Sequence, residues 1–231
     1  MYSPIVKERL PRVEEGIMVA ARKSGRDRGT VRLVAVTKGH EPEAVEAVLD
    51  AGIRDIGENR VDALEQRVQK FPDPSICWHM IGHLQSRKAA QAAALADMIH
   101  SVDSVKLAGR LNRASEGLGA RLQVLIQVNT SGEATKGGLG LSSAIDGIEK
   151  IAELEWLDAV GLMTMAPFTD DQTAIRSTFR SLRRLQEEAA RISGFTAREL
   201  SMGMSNDYLI AIEEGSTMVR LGTALLGERQ A

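Results

Sequence analysis

Eight short apolar or β-branched runs, evenly spaced along the chain, leave this sequence very few folds to choose from. They occupy residues 32–37, 53–56, 76–81, 98–102, 122–128, 157–163, 199–202 and 218–221. The runs recur about every 27 residues, which is room for one strand, one helix and two short loops. The stretches between them carry helical periodicity. In residues 173–192, for example, Ile175, Phe179, Leu182, Leu185 and Ala189 keep one face apolar. Arg176, Arg180, Arg183, Glu187 and Arg191 make the opposite face a solvated surface. Ahead of the first run comes a further helix that buries Val6, Leu10, Val13 and Ile17; Ser3 is expected to cap it, Pro4 suits its first turn and Gly25 ends it.

Eight βα units are the number that closes a parallel sheet into a barrel, a fold that typically takes about 250 residues. The expected architecture is therefore α/β: a single (β/α)8 TIM barrel with an extra N-terminal helix, residues 1–231 forming one domain. An open doubly wound sheet is the alternative. Its glycine-rich dinucleotide turn is missing after the first run, where Thr37-Lys38-Gly39-His40 stands instead.

Composition narrows the partners. With 29 Lys+Arg against 31 Asp+Glu the formal charge is −2, without the basic excess of a dedicated nucleic-acid binder. The one cysteine, Cys77, cannot build a disulfide framework or a Cys-rich metal cage, and it suits a reducing cytoplasm. The opening MYSPIVKERL has charges where a signal peptide needs an apolar stretch, and no run approaches the roughly 18 apolar residues of a membrane span. Without an evident exposed apolar stripe, a monomer is expected. Few aromatics are present (four Phe, two Trp, two Tyr), so the core must be aliphatic, with Met163, Met165, Met202 and Met204 filling space near the barrel mouth.

Barrel ligands bind where strands end and loops begin, at the C-terminal face. This rule selects Lys38, Glu58-Asn59, the segment from His79 to His83, Asn129, Met163-Thr164, Ser205-Asn206 and the segment from Arg220 to Thr223. Lys38 continues the alternation of Val34 and Val36, so it shares their side of the sheet. A lysine desolvated there loses its charge more easily and becomes a nucleophile for carbonyl carbons; one that snorkels to water does neither. Loops after the seventh and eighth strands often build phosphate sites. Here Ser205 is placed to cap a helix over residues 208–213, Gly222 permits close approach to the backbone and Thr223 adds a hydroxyl, although capping and a turn glycine would explain the same residues. Arg220, inside a short strand, needs a planar partner, either a ligand or a structural ion pair with Glu58 or Asp207. Together these residues describe a site for a phosphorylated aldehyde held by a lysine. Pyridoxal 5′-phosphate has that shape, and so do the substrates of phosphosugar aldolases and isomerases. No metal-ligand spacing links His40, His79 and His83, and His79 reads as a hydrogen-bonded wall residue. Lys136-Gly137-Gly138 lacks the Walker pattern and ends a loop after the fifth strand.

Several segments taken together resemble the pyridoxal phosphate homeostasis proteins. They include Val34-Ala35-Val36-Thr37-Lys38, Gly57-Glu58-Asn59-Arg60, the stretch from Trp78 to Ser86, Val128-Asn129-Thr130-Ser131, Gly161-Leu162-Met163-Thr164-Met165, the stretch from Leu200 to Asp207, and Val219-Arg220-Leu221-Gly222-Thr223. The resemblance implies a barrel like the N-terminal domain of alanine racemase, with pyridoxal 5′-phosphate bonded as a Schiff base to Lys38. It implies that Ser205, Gly222 and Thr223 bind the phosphate, that Arg220 meets the pyridine nitrogen, and that Asn59 lies near the cofactor. Lys136 matches a loop lysine of the family whose role stays open. Arg87-Lys88 stands where the family commonly has Asn-Lys, a change confined to a surface loop. An arginine at the pyridine nitrogen disfavours nitrogen protonation and weakens the ring as an electron sink. Alanine racemases add a second domain and a tyrosine base; here the chain stops at Ala231, and Tyr2 and Tyr208 lie elsewhere. The implied function is intracellular homeostasis of pyridoxal phosphate and of amino and keto acid pools, with no catalytic residue assigned and cofactor-dependent apoenzymes as transient acceptors. An amino-acid racemase using the same lysine is the enzymatic alternative, and a partner-binding adaptor that responds to cofactor occupancy is the third.

Overall fold

The computed structural model describes residues 2–133 and 136–228. Eight parallel strands close into a barrel: β1 Arg32–Val36, β2 Asp55–Glu58, β3 Cys77–Met80, β4 Met98–Val102, β5 Leu122–Asn129, β6 Leu157–Met163, β7 Phe195–Met204 and β8 Met218–Leu221. Each strand pairs with the next, and β8 returns to β1 with Val34 opposite Arg220. The barrel expectation holds. A two-residue strand, Leu139–Gly140, adds to the edge of β5 beyond the barrel wall. The seventh run begins four residues earlier than its apolar signal, because β7 includes the polar stretch Thr196-Ala197-Arg198, with Ala197 at φ 49°.

The helices are α1 Tyr2–Lys23, α2 Glu43–Asp50, α3 Val61–Lys70, α4 Ala89–Leu95, α5 Val105–Leu118, α6 Ala144–Ala152, α7 Gln172–Ala189, α8 Tyr208–Glu213 and the single turn α9 Thr223–Leu226. α1 is the extra N-terminal helix. It already includes Ser3 in its first turn, so Ser3 does not cap it; Gly25, at φ 72°, follows its end as expected. Its buried Val6, Val13 and Ile17 pack onto the barrel's outer face, the last two beside Leu33 and Val219. Alternation along β1 sends Leu33 and Ala35 outward into the helix layer and Val34 and Val36 inward. Inside the barrel Met98, Leu125, Val160, Met163 and Met218 form a small apolar cluster. The wall is tight where β6 meets β7: a Cβ on Gly161 would lie 1.8 Å from the Glu199 carbonyl oxygen.

The charged face of α7 is more than a solvated surface. Arg176 Nη1 and Arg180 Nη2 reach Glu214 at 3.2 and 3.0 Å, and Arg176 also pairs with Glu213, so α7 is tied to α8. Arg176 hydrogen bonding, helped by Lys23, holds Glu213 below the usual carboxylate range. A lowered carboxylate pKa stabilises the fold above the unfolded value, and that stability is lost as pH falls through the folded one. Arg176→Ala should therefore cost about 1 kcal/mol in neutral urea melts, and the difference should shrink as the carboxylates are protonated in acid.

Candidate functional site

At the C-terminal face the strand ends and loops surround a cleft of about 1040 Å³. Such a volume is ample for a cofactor-sized ligand. Lys38 and Val36 line it from the end of β1, Asn59 from β2, Arg220 from β8, and Ser205, Asn206, Gly222 and Thr223 from the last two loops. All six residues singled out as ligand-binding candidates thus meet in one place. Lys38 does stand on the inward face with Val36, half-buried. Asn59 is seated by a close backbone contact, since a Cβ on Gly82 would fall 2.2 Å from the Asn59 carbonyl oxygen.

Arg220 is only 4% exposed. Its Nη1 donates to Ser201 Oγ at 2.6 Å and its Nη2 to the Thr164 carbonyl at 3.1 Å. Thr164 in turn donates to the Val128 carbonyl at 2.8 Å and meets Thr130 Oγ1 at 2.9 Å. Burial brings the guanidinium down to about 10, opposed by the nearby Asp207 carboxylate. Its partners are Ser201 and Thr164 and not Glu58, which accepts from Thr37 Oγ1 at 2.7 Å and faces Arg67 Nε at 3.6 Å outside the barrel. Burial raises Glu58, against those two partners.

The two loops of the expected phosphate site are stitched differently from the expectation. Ser205 does not cap α8; its Oγ accepts from the Ala224 N–H at 3.1 Å, at the start of α9. Asp207 is the residue before α8, and its carboxylate accepts from the Met204 N–H at 2.6 Å. The serine hydroxyl is thereby drawn toward Gly222 and Thr223.

The cleft has other lining residues besides these six. Lys136, from the loop after β5, donates to the Ala166 carbonyl at 2.8 Å and pairs with Glu133, yet also faces the cleft. His40, His83, Gln127, Met165 and Met204 line it too, and Phe168, 91% exposed, stands at its mouth. Among the described lining residues there are three cations, Lys38, Lys136 and Arg220, and not one carboxylate or tyrosine. Tyr2 sits behind His40, its hydroxyl 3.4 Å from Nδ1, and Tyr208 packs over Gly16 of α1.

At the opposite end of the barrel the chain brings together a group that linear spacing does not announce. Asp55, Cys77 and His79 present ligand atoms within 4.8 Å of one another. Burial, then the Asp55 and Asp97 carboxylates, push the Cys77 thiol up to about 12. Asp55 already accepts from His79 at 2.9 Å and faces Arg32 at 3.7 Å, so its carboxylate is engaged within the protein.

The barrel with its inward lysine is of the alanine racemase N-terminal-domain class: the model of that family matches residues 13–230. A pyridoxal phosphate homeostasis protein of Aquifex aeolicus (strain VF5) is 37% identical over 223 residues, covering 96% of this chain and 98% of its own length. The human protein of that name is 38% identical over 231 residues, with 94% and 84% covered. The structure of PipY of Synechococcus elongatus PCC7942 with PLP bound superposes with a TM-score of 0.78 at 35% identity, over 86% of this chain and 93% of that one. Alanine racemase of Clostridium difficile 630, in complex with cycloserine, shares the fold alone: TM-score 0.71, 14% identity, 94% of this chain and 60% of that one. The chain belongs to the pyridoxal phosphate homeostasis protein family.

Proposed function

We propose that this chain binds pyridoxal 5′-phosphate in the cleft and serves the homeostasis of that cofactor and of amino and keto acid pools, without robust turnover of amino acids. The observation that carries this reading is the donor set: three cations and two hydroxyl residues converge in a cleft whose described lining has no carboxylate. An anionic ligand with an aldehyde suits them, and PipY, 35% identical, is seen with PLP bound. Ser205, Gly222 and Thr223 would hold the phosphate, Arg220 would face the pyridine nitrogen, and Asn59 would lie beside the ring. The cofactor supplies an aldehyde that condenses with a primary amine, releasing water, and a ring that withdraws electrons.

Lys38 is the amine placed for covalent attachment, half-buried at the end of an inward-facing strand position. Arg220 keeps the far end of the pocket cationic, which opposes proton uptake on the ring nitrogen and so weakens electron withdrawal. No tyrosine lines the cleft among the described residues, which leaves no phenol to move a substrate proton there. Residues 1–231 act in this reading as one barrel domain. Exposed large apolar side chains such as Val19, Leu118 and Leu141 are scattered over separate elements, which suits a monomer that hands its cofactor to apoenzymes. No described helix is long and apolar enough to cross a membrane.

The test is uptake of pyridoxal phosphate by purified protein, borohydride reduction and peptide mass mapping. One cofactor mass on the peptide that holds Lys38 is expected, together with background exchange of the alanine α-proton in deuterated solvent. Modification elsewhere would overturn the site; rapid exchange would make the protein a racemase.

A further inference from the structure

Arg220 is one end of a hydrogen-bond chain that runs through the barrel interior. From Ser201 Oγ the next contact is His100 Nδ1 at 2.9 Å; His100 Nε2 lies 2.9 Å from His79 Nδ1, and His79 Nε2 lies 2.9 Å from Asp55 Oδ1. The chain crosses from β8 through β7, β4 and β3 to the first residue of β2. His79, His100 and Ser201 are buried to within 1% of full burial. At the far end Asp55 is a quarter exposed and faces Arg32, so the chain leaves the barrel core near solvent.

With both imidazoles neutral, the two ends determine the direction of every bond between them. An arginine only donates, and an ionised aspartate only accepts. His79 Nε2–H therefore donates to Asp55, leaving His79 Nδ1 to accept from His100 Nε2–H. That leaves His100 Nδ1 to accept from the Ser201 hydroxyl, whose oxygen accepts from Arg220. In the reverse arrangement Ser201 would accept from both Arg220 and His100, and its own proton would lose its acceptor. Burial, reinforced by Arg220 and Arg32, also holds His100 well below the usual imidazole range. With four bonds polarised one way, each strengthens the next in a low-dielectric interior.

We propose that Asp55, His79 and His100 are positioning residues that orient Arg220 through a directed hydrogen-bond chain and supply its distant countercharge. The functional half of this inference rests on the pyridoxal phosphate reading of the cleft; the directed chain itself does not. With Ser201 and Thr164 fixing the plane of the guanidinium, its remaining donors are left at the wall of the cleft. An aspartate at the opposite end of the barrel thus bears on how the ligand's ring is met, although it does not line the cleft.

Two measurements test it. In ligand-free protein labelled with 15N-histidine, both His79 and His100 should carry their proton on Nε2. An Nδ1 proton at either residue would overturn the directed chain. Second, Asp55→Ala should scramble the His79 tautomer, weaken pyridoxal phosphate binding about tenfold and shift the bound cofactor's absorption band; Asp55→Asn, which still accepts, should keep the tautomers and lose less affinity. Folded Asp55 variants with wild-type affinity and spectrum would overturn the coupling to Arg220. Failure of the wild-type protein to bind the cofactor would overturn the reading of the cleft and the coupling with it, while the histidine spectra would still decide the chain.

Discussion

Lys38→Ala should abolish covalent retention of pyridoxal phosphate and leave the barrel standing. The lysine lies one residue past Thr37, beyond the end of β1, half-buried at the cleft wall. Truncating it opens the cleft by a few methylenes without removing a packed core side chain, so stability should move by no more than about 0.5 kcal/mol. The phosphate and ring contacts proposed for Ser205, Thr223 and Arg220 remain, so the variant should still bind the cofactor, reversibly and about a hundredfold more weakly. The expected observation is an intact mass that gains one cofactor after borohydride in the wild type and none in the variant, with matched melting curves. Residual labelling at Lys136, the other lysine on the cleft wall, would move the attachment point to the loop after β5.

The barrel was readable because its signals are local and repeated. Each strand is a short apolar run, and Leu157–Met163 and Met218–Leu221 begin and end where their apolar residues do. Phe195–Met204 was underestimated because its first half is polar and irregular, with no alternation to count. The site was readable to the extent that strand ends announce it: Lys38, Asn59 and Arg220 follow from parity along β1, β2 and β8. What parity alone left out is partnership. Ser205 accepts from Ala224 across a gap of 19 residues, and Arg176 reaches Glu214 from another helix, neither of which a linear pattern can show. His100 and Ser201 occupy inward positions of β4 and β7 and could have been placed inside by the same counting. Their contact, 101 residues apart in sequence, exists only once the sheet closes.

Closure also explains why Arg220 should be the most sensitive wall residue. Its one guanidinium bridges Ser201 on β7 and the backbone just after β6 from a position on β8, so three neighbouring strands share it. Arg220→Ala would leave a buried carbonyl without its donor and Ser201 without one of its partners, each loss worth about 1–3 kcal/mol. A total of roughly 2–4 kcal/mol in denaturant melts is expected, with cofactor affinity reduced about tenfold to a hundredfold in protein that remains folded. Arg220→Lys should recover the charge and little else, because an ammonium cannot span both acceptors in one plane. The pH dependence separates charge from geometry. Burial raises Asp207 above the usual carboxylate range, opposed by the Met204 N–H and by Arg220. A raised carboxylate pKa means that the folded state holds its proton longer, so stability falls as pH rises from the unfolded value to the folded one. Without the guanidinium Asp207 should rise further, and Arg220→Ala should lose stability over a wider pH interval than wild type. Arg220→Lys should keep the wild-type interval while still binding the cofactor poorly. An alanine variant with an unchanged pH profile would remove Asp207 from the argument, and a lysine variant with full affinity would show that the site reads charge alone.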